Sequence, residues 1–114
     1  MSGPAAGAPL CRLDEIADPG AKGFTFHEED TLFMAFVVRR GEAVWGWRDR
    51  CPHVGSPLTL GDDRYLTRGS DHILCSTHGA LFRIEDGLCL GGPCVGHSLI
   101  PWPVAVEDGS VVVA

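Results

Sequence analysis

The sequence predicts an all-β chain of stacked antiparallel sheets, on three observations. Fifteen Gly and eight Pro are spread over 114 residues, which cuts the chain into segments too short for long helices. The apolar runs between those breaks are brief, and several alternate as strands do. Asp86-Gly87 and Asp108-Gly109 each sit between two such runs, the signature of a tight hairpin. The length fits one domain, read here as residues 10–114 after a flexible leader at 1–9.

Taken in order, residues 1–9 (MSGPAAGAP) offer nothing to bury. Residues 10–16 turn apolar and form a first short strand, closed by Asp18-Pro19-Gly20. Residues 22–30 read as a connector ending in a solvated acidic loop, Glu28-Glu29-Asp30. Residues 31–38 (TLFMAFVV) are apolar on both alternating faces, the pattern of a strand buried on two sides. Arg39-Arg40-Gly41-Glu42 turns the chain. Residues 43–48 then return, with Trp45 and Trp47 on one face and Val44 and Arg48 on the other.

Pro52, Gly55 and Pro57 make residues 51–58 a rigid loop. Residues 59–70 are a polar excursion. Residues 72–74 are a short strand that delivers Cys75, and Gly79 allows a tight bend after His78. Residues 82–84 and 88–90 pair across 85–87, and Gly91-Gly92-Pro93-Cys94 is a third rigid loop. Residues 104–106 and 111–113 pair across 107–110, after an interruption at Pro101-Trp102-Pro103. The expectation is eight or more short strands and no helix.

Composition narrows the function. The formal charge of −6 weighs against nucleic acid, whose binders need a basic surface. It suits either docking on a positively charged partner or simple solubility. Apolar residues make up 45%, too many for a disordered chain. Five Cys is an odd count, so they cannot all pair within one chain. Neither a signal-peptide pattern nor an apolar run of membrane-spanning length is present. The expectation is a soluble protein of a reducing, cytoplasmic compartment.

The chemistry is concentrated in Cys51-Pro52-His53 and Cys75-Ser76-Thr77-His78, separated by 21 residues. Two Cys and two His can hold a four-coordinate zinc ion or a mixed-ligand iron–sulfur cluster. Zinc fingers usually group Cys with Cys and His with His, on a hairpin and a helix. Here each half offers one Cys and one His, and no helix follows. A mixed-ligand cluster needs both Cys on one iron and both His on the other, and two parallel loops meet that demand by symmetry. The spacing favours the cluster.

C-x-H followed about twenty residues later by C-x-x-H-G resembles the Rieske 2Fe–2S domain, and the resemblance covers the chain from about Leu10 onward. It implies a Rieske-like fold with a small cluster-binding subdomain, about residues 49–97. It implies one 2Fe–2S cluster, with Cys51 and Cys75 on the inner iron and His53 and His78 on the outer. Gly92-Pro93 matches the loop that covers the cluster on its third side. High-potential members carry a disulfide between the ligand loops, where this chain has Ser56 and Thr77. They also place Ser and Tyr hydroxyls near the cluster, where this chain has Ala80 and Phe82. Without those donors the potential is expected toward the low end of the Rieske range, roughly −150 to +300 mV.

The resemblance thus implies a Rieske-type ferredoxin. This is a monomeric one-electron carrier between a flavin-dependent reductase and a terminal oxygenase, with no catalytic residues of its own. The alternatives are a small Rieske subunit of a larger, nitrite-reductase-like complex, or a structural zinc module that binds a partner. No room remains for the separate 2-His-1-carboxylate iron site of an oxygenase. Cys94 reads as a small apolar packing residue, Cys11 and Cys89 as buried thiols, and a redox-sensing disulfide among the three stays open. His27, His72 and His97 read as surface or edge histidines.

Overall fold

In the computed structural model, which describes residues 3–52, 55–59, 63–76 and 79–114, strand β3 (Thr31–Arg40) separates two hydrophobic cores. Its apolar residues do not alternate with polar ones, so both faces must be covered. Phe33, Ala35 and Val37 enter one core; Phe36 and Val38 enter the other. β2 (Gly20–Glu28) and β4 (Ala43–Arg48) flank β3 in an antiparallel sheet of order β2-β3-β4. A second sheet, of order β1-β9-β8, is built from β1 (Pro9–Arg12), β8 (Val104–Glu107) and β9 (Ser110–Val113). The third, of order β5-β6-β7, joins β5 (His72–Leu74), β6 (Leu81–Arg83) and β7 (Cys89–Gly91). The described residues therefore hold nine strands in three small antiparallel sheets, as an all-β reading requires.

The first core joins Phe33, Ala35 and Val37 with Leu13, Ile16, Trp102, Val111 and Val113. The Trp102 ring lies 5.7 Å from Phe33, 5.9 Å from Phe24 and 6.2 Å from Phe26, centroid to centroid. Such tilted aromatic packing adds to the gain from area alone, and truncating Phe33 to Ala is expected to cost about 3–5 kcal/mol. The second core lies on the other face of β3. It gathers Phe36, Trp47, Ile73, Phe82 and Ile84 with Cys51, Cys75, Cys89 and Cys94. The chain leaves the first core after β4 and returns before β8. There the two crossings are tied together: Arg48 N–H donates to the Ile100 carbonyl at 2.8 Å, and Trp102 N–H to the Gly46 carbonyl at 2.9 Å. A side chain at Gly46 would strike the Trp102 carbonyl, which is why a glycine interrupts this strand.

Two elements differ from the sequence expectation. Residues 22–28 of the connector expected at 22–30 lie in β2, which pairs along its whole length with β3. Phe24 and Phe26 point to the same face and pack on the first core, and only Glu29 and Asp30 make the turn. The strand expected over residues 10–16 stops at Arg12. A 3-10 turn, Leu13–Glu15, follows and lets both Leu13 and Ile16 face inward. Within the expected leader, Gly3 N–H donates to Glu28 Oε2 at 2.7 Å, Gly7 N–H donates to the Val113 carbonyl at 2.7 Å, and Pro9 opens β1. The closing hairpin has positive φ at Asp108 (52°) and Gly109 (76°), as a type I′ turn requires. No helix among the described residues is long and apolar enough to cross a membrane.

Candidate metal centre

Two loops at the edge of the second core share one backbone frame. In the first, Cys51 N–H donates to the Ser56 carbonyl at 2.7 Å, and Gly55 N–H donates to the Cys51 carbonyl at 2.7 Å. In the second, Cys75 N–H donates to the Ala80 carbonyl at 2.9 Å, and Gly79 N–H donates to the Cys75 carbonyl at 2.8 Å. Each cysteine thus starts a turn of the same span, closed by a glycine four residues later. Those glycines have φ of +77° (Gly55) and +72° (Gly79), a conformation that any other residue adopts only with strain. Ser76 N–H donates to the Leu58 carbonyl at 2.8 Å and locks one loop to the other. Cys51 and Cys75 are fully buried, as thiols rather than disulfides.

The supports of the two loops differ. Asp49, a buried carboxylate just before the first loop, accepts from Leu58 N–H at 2.7 Å and from the Tyr65 hydroxyl at 2.8 Å. It therefore ties both ends of that loop to one point. Tyr65 in turn stacks on Phe36, with centroids 4.2 Å apart and planes within 6°. The second loop is held by shape instead. A side chain on Gly92, at φ +93°, would come within 2.8 Å of the Ala80 Cα, so the third loop lies directly against the end of the second. Ala80 and Phe82 are fully buried and present no hydroxyl.

Two further thiols stand in the same core. Cys94 Sγ donates to Cys89 Sγ at 3.0 Å, and Cys89 Sγ donates to the Gly91 carbonyl at 3.2 Å. Burial, then the Cys89 sulfur and the Cys51 sulfur beside it, push the Cys94 thiol up to about 12, so it stays protonated at neutral pH. Cys11 lies apart on β1, half-buried rather than buried. His27 and His97 are exposed. His72 is half-buried on β5 beside Asp71, Nδ1 to Oδ1 3.3 Å. The Thr67 hydroxyl, with His72 adding to it, holds the Asp71 carboxyl below its ordinary value.

Of the four expected ligands, Cys51 and Cys75 are brought into one buried cluster. His53 and His78 lie outside the described residues, as does Thr77. Among the described residues no three His, Cys, Asp or Glu side chains are placed to hold a metal ion. The residues present fit a bridged cluster. Two soft sulfur donors are shielded from water at matching positions of twin loops, and the Ser56 hydroxyl is buried with no hydrogen-bond partner among the described residues. Asp49 and Tyr65 were missing from the sequence reading. The available signals were an Asp closing an apolar strand and a lone aromatic in an otherwise polar stretch.

The family model for the Rieske [2Fe-2S] domain matches residues 7–106. This chain belongs to the Rieske [2Fe-2S] domain family. The cofactor of a Rieske domain is a 2Fe–2S cluster, and the donor chemistry of the twin loops agrees with it. Among solved structures, the ferredoxin of carbazole 1,9a-dioxygenase from Nocardioides aromaticivorans IC177 superposes with a TM-score of 0.72 at 23% identity, over 96% of this chain and 98% of that one. The Sphingomonas yanoikuyae B1 ferredoxin gives 0.69 at 25% identity, over 94% and 96%. A chain from the complex of reduced oxygenase and oxidised ferredoxin in carbazole 1,9a-dioxygenase gives 0.71 at 24%, over 93% and 99%. No curated protein sequence matches this chain.

Proposed function

We propose that this Rieske protein is a one-electron carrier that accepts electrons from a flavin-dependent reductase and delivers them to a terminal oxygenase. The observation that carries this reading is the pair of twin loops, which bury Cys51 and Cys75 at equivalent positions of one hydrogen-bonded frame. Cys51, His53, Cys75 and His78 are the proposed ligands, within a single domain at 10–114 whose cluster-binding part spans about 49–97. Likeness to ferredoxins of dioxygenase systems supports an oxygenase as the acceptor. Cytoplasmic location and a monomeric state complete the proposal.

When bound, the cluster supplies a store for a single electron. The chain's own residues set how that store is used. Cys51 and Cys75 exclude water from the sulfur side of the site. His53 and His78 would hold the cluster through one ring nitrogen each, and the proton on the other nitrogen would be harder to lose with the extra electron nearby. The midpoint potential is therefore expected to fall with pH above the pKa of the oxidised state. The side chains of Ala80 and Phe82 carry no hydroxyl to donate, which keeps the potential low. Leu90 and Val95 flank the third loop with 43% and 61% of their surface exposed, giving a docking partner apolar area beside the site.

The test is reconstitution. Purified protein is expected to be red-brown, to contain iron and acid-labile sulfide in equal amounts, and to restore turnover when added to a flavin reductase and a Rieske-dependent oxygenase. A colourless protein carrying zinc, or one that stays bound to a larger reductase complex on gel filtration, would refute the free-carrier reading.

A further inference from the structure

We propose that Cys89 and Cys94 are a reversible dithiol–disulfide pair, oxidised by hydrogen peroxide, that fastens the third loop against the second ligand loop. The two sulfurs are 3.0 Å apart, so a bond of about 2.05 Å needs a movement of only about 1 Å. Their backbones are already held together: Cys89 N–H donates to the His97 carbonyl at 2.8 Å, and His97 N–H donates to the Cys94 carbonyl at 2.9 Å. Within residues 92–98 only Cys94 is buried, and every other residue is exposed. Its side chain is thus the inward anchor of the loop, and a small oxidant has one layer of chain to cross. The same loop carries Gly92, which presses on Ala80. This pair differs from a bridge between the two ligand loops, for which Ser56 stands at one of the needed positions.

The chemistry balances with peroxide alone. The Cys89 sulfur, which accepts the Cys94 S–H, takes an oxygen from hydrogen peroxide as the O–O bond breaks, giving a sulfenic acid and one water. The Cys94 sulfur then attacks it; the S–S bond forms, the S–O bond breaks, and the Cys94 proton leaves with the hydroxyl as a second water. Two thiols and one peroxide become one disulfide and two waters. A phosphine or thiol reductant reverses it.

The holoprotein is treated with hydrogen peroxide, alkylated without reduction and digested with trypsin. No Lys or Arg lies between Arg83 and Ala114, so Cys89 and Cys94 fall together in the tryptic peptide that begins at Ile84, away from the other three cysteines. That peptide is expected to be two hydrogens lighter and unalkylated while the visible absorbance persists. The oxidised form is expected to lose iron to a chelator several-fold more slowly than the reduced form, and a phosphine to restore the faster rate. Neither Cys94→Ser nor Cys89→Ala should show the two-hydrogen loss or the slowed iron release after peroxide, since the remaining thiol can at most gain oxygen; the second variant guards against misfolding of the first. Alkylation of both thiols after peroxide overturns the proposal, as does a disulfide to Cys51, or a Cys89–Cys94 disulfide with an unchanged chelator rate. The mass readout does not depend on the proposed ligand set, so its failure is distinguishable from failure of that assignment.

Discussion

The two cysteine loops share one pair of hydrogen bonds and rest on different foundations. In each, a buried cysteine (Cys51, Cys75) and a left-handed glycine (Gly55, Gly79) make the same two backbone hydrogen bonds. The first is clamped by a charge, with Asp49 gripping Leu58 and Tyr65. The second is cradled by contact, with Gly92 of the third loop against Ala80. The frame places a cysteine; the foundation keeps it there. A polar clamp and a steric cradle fail in different ways, and substitutions can separate them.

The largest effect is expected from removing a proposed ligand. His78→Ala should eliminate the native cluster, measured as iron and sulfide per chain, and lower thermal stability, because ligation free energy is also folding free energy. Next comes the clamp. Asp49→Ala removes the buried acceptor of both the Leu58 N–H and the Tyr65 hydroxyl, and losing two buried hydrogen bonds should cost about 1–3 kcal/mol in denaturant melts. Tyr65→Phe removes only one of the two bonds and should cost about 1 kcal/mol. Gly92→Ala attacks the cradle. Its added carbon meets the Ala80 backbone at a strained φ, and about 1–3 kcal/mol is expected, with faster loss of iron to a chelator.

Ala80→Ser sharpens the comparison without breaking either loop. A new hydroxyl beside the site should raise the midpoint potential in voltammetry, and an unchanged value would mean that Ala80 does not correspond to the hydroxyl position. The smallest effect is at the turn between β6 and β7. Hydrogen bonds first from Arg83 and then from the Leu88 N–H hold the Asp86 carboxyl below its ordinary value. A depressed carboxyl stabilises the fold above its unfolded pKa, and that gain is lost as pH falls through the folded one. Asp86→Asn should therefore be slightly less stable at neutral pH, and the gap should close below about pH 4.

How far the sequence could be read follows the same division. The two cysteine turns were legible because Pro52, Gly55 and Gly79 act locally and fall close to Cys51 and Cys75 in the chain; His53 and His78 lie outside the described residues. β3 was legible because an apolar run with no polar face needs two cores. β2 was not, since Phe24 and Phe26 are interleaved with Gly23, Thr25 and His27 and run into an acidic turn. The clamp was invisible because Asp49 and Tyr65 are 16 residues apart, and the cradle because Gly92 and Ala80 meet only through the β6–β7 hairpin. Cys89 and Cys94 read separately as buried thiols; their contact needs the turn at His97, which no local pattern announces.

The central claim is that the twin loops hold a 2Fe–2S cluster through one cysteine and one histidine each. Pulsed EPR on the chemically reduced protein, prepared with natural and with nitrogen-labelled histidine, tests it most directly. Two histidine nitrogens should couple to the unpaired electron and shift with the label, and His78→Ala should lose that spectrum. A spectrum with no histidine nitrogen coupling, or no signal on reduction, would contradict it.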